Sequence, residues 1–139
     1  MYHLFEEPLS SEVLDEWVDL AGEYSLVKGY TDFGDLFLIN PKSNEVAILF
    51  TMENTIEPMG FTDWQRFVDR VLLNPGFQED VMDFAFRDKV RAHCGELGEE
   101  EVYIATPYPF IGGSGAPDTY KKGNVWVYLA ISSQTWAKI

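Results

Sequence analysis

Two short apolar runs, at residues 36–39 and 46–50, stand out in the pattern of hydrophobic and polar positions. Neither run shows the alternation expected of a strand with one face in water, which favours strands that are buried on both faces. The segment NPKSNE lies between them, and its proline and asparagines suit a turn. The pattern therefore predicts an antiparallel hairpin, with weaker strands at residues 25–30 and near Ile56.

Three segments show the apolar spacing of amphipathic helices. The clearest covers residues 64–72, where Thr62 and Gln65 form a capping-box pattern ahead of the apolar stripe. Residues 13–21 carry a similar stripe after two serines that can cap a helix. Residues 78–94 form the third candidate, and their apolar positions fall on two faces, which indicates a helix that is buried on two sides.

The remaining segments complete a mixed architecture. Residues 101–106 predict a strand, whereas residues 1–9 resemble a loose lead-in. Residues 125–134 alternate like a strand, but their length and their apolar residues all round suit a buried helix, so both alternatives stay open. The whole pattern predicts a single α+β domain over residues 1–139, an antiparallel sheet with helices packed against it, in which residues 1–24 form an N-terminal helical segment.

Charge narrows the classes of function. The chain carries 23 acidic residues against 10 basic residues, a formal net charge of −13. Phosphate backbones and anionic membranes attract basic protein surfaces, so direct binding of nucleic acid or of a membrane is disfavoured. A basic partner protein would be attracted instead. Solubility alone would also explain an acidic chain, and that alternative stays open.

The cysteine count and the hydropathy of the chain indicate the cellular compartment in which we expect the protein. The single cysteine, Cys94, cannot form an intramolecular disulfide, and the first residues lack the basic and apolar regions of a signal peptide. No apolar stretch approaches the length of a membrane span. These features lead us to expect a soluble cytoplasmic protein.

Side chains with catalytic or metal-binding chemistry are sparse. His93 and Cys94 are adjacent on a candidate helix, where side chains point about 100° apart, so they cannot share one metal ion or form a nucleophile pair. We therefore expect no metal, no cofactor and no catalysis. Asp32 and Asp35 lie just before a buried strand. Acid–base or metal chemistry is one interpretation of this pair, and a polar turn is the favoured one.

A dense acidic cluster follows the third candidate helix and consists of Glu96, Glu99, Glu100 and Glu101. Like charges this close repel one another unless water or cations surround them. The cluster is therefore either a solvated loop or a docking patch for a basic partner, and the two interpretations stay open.

The glycine-rich stretch TPYPFIGGSGAPDTYKK, residues 106–122, raises the question of phosphate binding. A Walker loop needs a Lys-Ser or Lys-Thr pair after its last glycine and then a helix, whereas Ala-Pro-Asp follows here. The prolines also end the preceding strand too early for a dinucleotide-binding turn. We therefore interpret the glycines as a turn that needs positive φ angles.

Several of these features occur in an order that resembles a known family. They are Phe33-Gly34-Asp35 before a buried strand, Glu101-x-Tyr103 in a late strand, Pro109 ahead of Gly112-Gly113, and Leu129-Ala130-Ile131 in the last apolar segment. Together, over residues 25–136, they resemble the C-terminal domain of type VI secretion DNase immunity proteins, which often follows a GAD-like domain. Here that preceding domain would be absent or reduced to a short helical segment.

The resemblance implies an α+β fold without catalysis, and it implies that residues 125–134 are helical. Members of the family are thought to bind and neutralise a co-encoded toxin, often a nuclease. A nuclease needs basic surface to hold nucleic acid, and an acidic protein complements that surface.

These arguments lead to one expected function and one alternative. The expected function is neutralisation of a cognate toxin with a basic surface, through a partner-binding surface made of Glu96, Glu99, Glu100, Glu101, Asp118 and Tyr120. The alternative is a small-ligand-binding or regulatory module with a pocket near the loop from Gly112 to Gly115. An enzyme has the least support, because no nucleophile, base and orienting group can be assembled.

Overall fold

The computed structural model describes residues 2–139. Its main sheet is antiparallel, and its five strands lie side by side in the order in which they occur along the chain. These strands are β1 (Tyr2–Ser10), β2 (Leu26–Thr31), β3 (Leu36–Ile39), β4 (Val46–Phe50) and β5 (Thr55–Pro58). A separate antiparallel ribbon pairs β6 (Glu101–Ala105) with β7 (Tyr120–Asn124). The predicted α+β class with an antiparallel sheet is confirmed.

Helices cover both faces of the main sheet. A 3-10 helix (Ser11–Trp17) leads into α1 (Val18–Ala21). The other helices are α2 (Trp64–Phe67), which continues as a π-helical turn (Val68–Leu72), α3 (Pro75–Asp80), α4 (Phe84–Cys94) and α5 (Val125–Ala137). Short 3-10 turns at Pro109–Ile111 and Pro117–Thr119 shape the connection between β6 and β7. No helix within residues 2–139 has both the length and the apolar character needed to cross a bilayer.

The two apolar runs form the centre of the sheet because both of its faces are covered. Leu36, Leu38 and Leu49 belong to a core that also contains residues of the 3-10 helix and of α5. Phe37 and Ile48 point the other way, into a second core that is closed by α2. Successive strand residues face opposite sides, so a strand between two layers of helices is apolar at every position. The predicted hairpin and its double burial are both confirmed.

The N-terminal prediction is wrong for residues 2–10, whereas the helix expected over residues 13–21 is present as the 3-10 helix and α1. From residue 2 onward the expected lead-in is a strand that pairs with β2, and only residues 11–21 of the expected helical segment are helical. Ser10 precedes the 3-10 helix but makes no side-chain capping bond. The backbone of Asp15 has a φ of 54° inside that helix and interrupts it. The pairing with a strand some twenty residues later is a non-local contact, which helical periodicity does not reveal.

Two helix predictions need correction. Asp63, and not Thr62, caps α2, because its side chain accepts a hydrogen bond from the Arg66 backbone N–H at 3.1 Å. The predicted helix over residues 78–94 is two helices, separated at Asp83, which lies in the left-handed region with φ 49° and caps α4. Of α4, only Val90 is fully buried, so this helix is not buried on two sides.

The C-terminal segment resolves the ambiguity between strand and helix. Residues 125–137 form α5, as the family resemblance implies, and Asn124 caps the helix by accepting bonds from two backbone N–H groups. Tyr128 and Leu129 are buried against the main sheet, and Trp17 donates a hydrogen bond to Ser132 at 3.3 Å. β7 precedes α5 directly and had no counterpart among the predicted elements.

Candidate functional site

A cavity of about 240 Å³ opens on the face of the sheet that α2 also covers. The turn between β2 and β3, strand β4, the segment from α3 to α4, and β7 all contribute to its wall. The lining residues are Thr31, Asp32, Phe33, Asp35, Phe37, Ile48, Phe50, Met52, Glu53, Phe77, Val81, Met82, Asp83, Phe84, Phe86, Arg87 and Tyr120. The cavity thus combines an aromatic wall with several carboxyl groups.

Asp35 lies in the wall of this cavity and is held from one side. Its Oδ1 accepts hydrogen bonds from the Thr51 N–H at 2.9 Å and from the Thr51 hydroxyl at 3.2 Å. The same hydroxyl lies 2.6 Å from the hydroxyl of Tyr128, which connects Asp35 to α5. The pKa of Asp35 is raised to about 7, mainly by burial and also by the charge of Glu53, while the hydrogen bonds from Thr51 oppose the rise.

The Phe33-Gly34-Asp35 motif is a turn whose shape the core requires. The Thr31 hydroxyl accepts hydrogen bonds from the backbone N–H groups of Phe33 and Asp35. Gly34 has a φ of 83°, and a Cβ at this position would overlap the ring of Tyr128. The turn interpretation therefore fits the geometry. The same turn also brings Asp35 to the cavity, which sequence reasoning did not foresee.

Asp32 and Arg87 form an ion pair at the rim of the cavity. The distance from Arg87 Nε to Asp32 Oδ2 is 2.6 Å, and both side chains are largely shielded from solvent. The Asp32 carbonyl also accepts a hydrogen bond from the Tyr103 N–H at 2.7 Å, which attaches the β6–β7 ribbon to the main sheet. Asp32 is thus a structural link between β2, α4 and β6.

Three aromatic rings of the cavity lining contact one another. Phe33, Phe86 and Tyr120 contact one another pairwise, with ring centroids between 5.6 and 6.0 Å apart. Tyr120 was predicted to touch a partner from an acidic patch, but it lies in this cavity wall and is only partly exposed. Tyr103, another residue of the family motif, is buried beside Phe33 and donates a hydrogen bond to the Gly95 carbonyl at 2.7 Å.

The predicted acidic cluster occupies the turn between α4 and β6. Glu99 and Glu100 are exposed there. Glu101 is not, and its carboxylate accepts a hydrogen bond from the Gly98 N–H at 2.6 Å, so it serves the turn itself. Glu96 is 83% exposed, lies 3.7 Å from Arg91, and its carbonyl accepts a bond from Lys122. Cations therefore offset part of the negative charge of this turn.

The glycine-rich loop packs against α5. Phe110 stacks on Trp136 with ring centroids 4.1 Å apart, and Tyr108 contacts Tyr128 edge-on. Pro109 begins the 3-10 turn, whereas Gly112 ends it with a φ of 102°.

Backbone crowding explains the second glycine of the loop, because a Cβ on Gly113 would overlap the carbonyl of Pro107. This fits the predicted turn. None of residues 112–115 lines the cavity described above. Asp118 is exposed in the 3-10 turn Pro117–Thr119. This turn precedes β7, and both pack against α4.

Nearly all of the negative charge lies on the outer surface. Of the 23 acidic residues, all but Asp32, Asp35 and Glu101 are exposed. The chain has no lysine or arginine before Lys28, so the 3-10 helix and α1 carry acidic side chains without basic ones. These acidic residues are Glu12, Asp15, Glu16 and Asp19.

A groove, which we call the α1 groove, runs beside these acids. Its lining combines polar side chains, Glu16, Asp19 and Asn54, with the apolar side chains of Leu20 and Trp136. The Trp136 ring is fixed, because it stacks on the glycine-rich loop and its Nε1 donates to the Thr51 carbonyl at 2.8 Å. The sequence contains one feature from which an acidic surface at this place could have been predicted, namely the lack of basic residues in the first 27 positions.

Comparison with known proteins bears on the fold. The crystal structure of Atu4351 from Agrobacterium tumefaciens is similar to this chain, with a TM-score of 0.61 over 90% of the chain and 12% sequence identity. The chain spans 62% of the length of that protein. At this level of identity the likeness shows a shared fold alone. No family model and no curated protein matches the chain.

Proposed function

We propose that this protein binds a partner protein with a basic surface and neutralises it, in the manner of an immunity protein and its cognate toxin. A nuclease is the toxin class that fits best, because it must hold nucleic acid with basic residues. The proposal rests on the resemblance of residues 25–136 to immunity domains and on the exposed negative charge. The single observation that carries it is the exposure of all but three of the 23 acidic residues.

The α1 groove is the part of the surface that best fits such a partner. Its acids, Glu16 and Asp19, form no ion pair with a basic residue within residues 2–139. Leu20 and the fixed ring of Trp136 offer apolar contact beside these acids. Protein interfaces commonly combine an aromatic anchor with surrounding charges that steer association.

The turn between α4 and β6 is the weaker of the two acidic surfaces. Glu101 is engaged within the turn, while Arg91 and Lys122 lie beside Glu96. The net field that a basic partner would meet there is correspondingly smaller. We therefore assign the main contact to the α1 groove and a minor part to Glu99 and Glu100.

Two charge-reversal variants test this assignment with equal changes of charge. The first is Glu12→Lys/Glu16→Lys/Asp19→Lys, and the matched control, Glu96→Lys/Glu99→Lys/Glu100→Lys, changes the turn. Each is co-expressed with the product of the adjacent gene, and survival of the cells and co-purification of the two proteins are measured. We expect the first variant to lose protection and to bind at least about 10-fold more weakly, and the second to change far less.

Three results would count against the proposal or against its assignment to the α1 groove. Protection and binding that survive in both variants would exclude an acidic interface. An adjacent gene whose product is harmless to cells and does not associate with this protein would remove the neutralising role itself. Loss in the turn variant alone would move the interface to Glu96, Glu99 and Glu100 and would overturn the assignment to the α1 groove.

A further inference from the structure

One carboxylate oxygen in the cavity wall has no hydrogen-bond partner within residues 2–139. Asp35 Oδ1 is held by Thr51, whereas Oδ2 accepts no hydrogen bond from residues 2–139. Within this part of the chain no inaccessible side-chain nitrogen or oxygen atom lacks a partner, so Oδ2 is accessible. Because Asp35 lines the cavity, this oxygen is available to a ligand there.

The cavity lining around Asp35 carries more negative than positive charge. Asp32 is compensated by Arg87, but Glu53 lines the same cavity, and no ion pair joins it to another described residue. Tyr120 lines the cavity together with both carboxyl groups, and the pKa of Tyr120 is raised, first by burial and then by the charges of Asp35 and Glu53. A cation in this part of the cavity would offset the excess.

The aromatic wall suits an organic cation better than a metal ion. The faces of phenyl and phenol rings attract ammonium and guanidinium groups within about 6 Å. Phe33, Phe86 and Tyr120 supply three such rings at one side of the cavity. Among residues 2–139, no group of three or more histidine, cysteine, aspartate or glutamate side chains is arranged to hold a metal ion.

We propose that this cavity binds an organic cation, an ammonium or guanidinium group on a short apolar stem. The charged end lies between Asp35 and Glu53, beside the ring of Tyr120, and the stem packs against Phe33 and Phe86. The cavity volume of about 240 Å³ limits the occupant to a small group, since sites for drug-sized ligands usually have about 300–1,000 Å³. A free amine or guanidine and a partner's lysine or arginine side chain share this chemistry.

The inference does not rest on the proposed function, because the cavity and the α1 groove have no lining residue in common. Its failure and the failure of the neutralising role are therefore separate results. Charge reversal beside the α1 groove tests the neutralising role, while binding of small cations tests the cavity.

Binding of a cation is linked to the protonation of Asp35. The pKa of Asp35 is raised to about 7, and a cation favours its ionised form. The other charged or titratable groups that face it are Glu53, Asp32 with Arg87, Asp83, and the hydroxyls of Tyr120 and Tyr128. We therefore expect cations to bind more tightly at pH 8 than at pH 5.5, since occupation at the lower pH requires removal of a proton.

The experiment is an NMR titration of the isotopically labelled protein with phenethylammonium and with its uncharged counterpart, phenethyl alcohol. The cation should give saturable shifts at Phe33, Phe86 and Tyr120, and the alcohol should bind at least about 10-fold more weakly. Butylguanidinium tests the second cation class. Acetyl-arginine methylamide presents an arginine side chain on a peptide backbone, as a partner protein would. Tighter binding of this compound than of butylguanidinium indicates a partner's side chain as the natural occupant, and weaker binding indicates a free small cation.

Three variants decide whether the carboxyl groups are responsible. Asp35→Asn keeps an acceptor for Thr51 but removes the charge, and Glu53→Gln removes the second charge. Each should weaken cation binding by about 10-fold or more, whereas Glu57→Gln, an exposed acid outside the cavity wall, should leave it unchanged. If Asp35→Asn does not fold, Glu53→Gln carries the test alone.

Three outcomes would overturn the inference. The first is equal binding of the cation and the alcohol, and the second is an affinity for the cation that is unchanged in both Asp35→Asn and Glu53→Gln. The third is the absence of a saturable shift for any cation up to about 10 mM, a concentration that detects binding free energies as weak as about −3 kcal/mol.

Discussion

At the scale of single residues, Asp35 makes the stability of the protein depend on pH. Its pKa is about 7 in the folded protein, raised mainly by burial from an ordinary value of 3.8. Between these values the folded protein keeps a proton that the unfolded chain has lost. The contribution of Asp35 to stability is therefore fully present below about pH 4 and is lost as the pH rises through about 7.

Asp35→Asn should remove this dependence, because asparagine stays uncharged and keeps an oxygen for Thr51. Relative to the wild type, the variant should gain stability with rising pH, by about 1.4 kcal/mol per pH unit between about pH 4 and 7. Urea unfolding of both proteins across this range measures the difference. If the curves of unfolding free energy against pH run parallel for the two proteins, Asp35 does not titrate in this range. Glu57→Gln is the control for the loss of an exposed carboxyl group.

Gly34 allows a second test at this scale. Gly34→Ala meets both an unfavourable φ of 83° and the ring of Tyr128, whereas Gly60→Ala meets a φ of 77° with no heavy atom within 4 Å. The Gly60 variant should lose about 1–2 kcal/mol from the backbone alone. The Gly34 variant should lose at least about 1–3 kcal/mol more from the overlap. Equal losses in thermal or urea unfolding would show that Tyr128 moves away at no cost.

At the scale of elements, the sequence pattern predicts the helices and strands that depend on residues close together along the chain. The hairpin of β3 and β4 and the apolar stripe of α2 follow from spacing within a few residues, and both are confirmed. β1 escaped prediction because it pairs with β2 through a register shift between Leu4 and Leu9, which interrupts the alternation that would mark a strand. The break between α3 and α4 depends on the left-handed backbone of Asp83, for which no strong signal exists in the sequence.

The corrected cap of α2 gives a prediction for this element. Asp63→Ala should destabilise the protein by about 1 kcal/mol, because the side chain of Asp63 accepts a bond from the Arg66 N–H. Thr62→Ala should destabilise the protein much less, since the Thr62 side chain makes no hydrogen bond within residues 2–139. Thermal unfolding of the two variants makes the comparison. A larger loss for Thr62→Ala would restore the capping box that the sequence suggests.

At the scale of the whole molecule, the sequence predicts the charge but not its placement. The value of −13 follows from composition, whereas the exposed acids of the α1 groove and the carboxyl groups of the cavity depend on the fold. The cavity joins side chains from residues 31–37, 48–53, 77–87 and 120, and no local pattern connects them. Tyr120 illustrates the limit, because the sequence suggested a partner contact for this residue, whereas the fold places its ring in an aromatic wall of the cavity.

The proposed partner binding also belongs to the whole molecule, since the field of the entire acidic surface steers association. The most direct test is the association rate constant with the purified product of the adjacent gene, measured at low and high salt. We predict a fall of at least about 10-fold between about 50 and 500 mM salt, together with a slower rate for Glu12→Lys/Glu16→Lys/Asp19→Lys at low salt. A rate that is independent of salt and unchanged in this variant, or no association at all, would contradict the account.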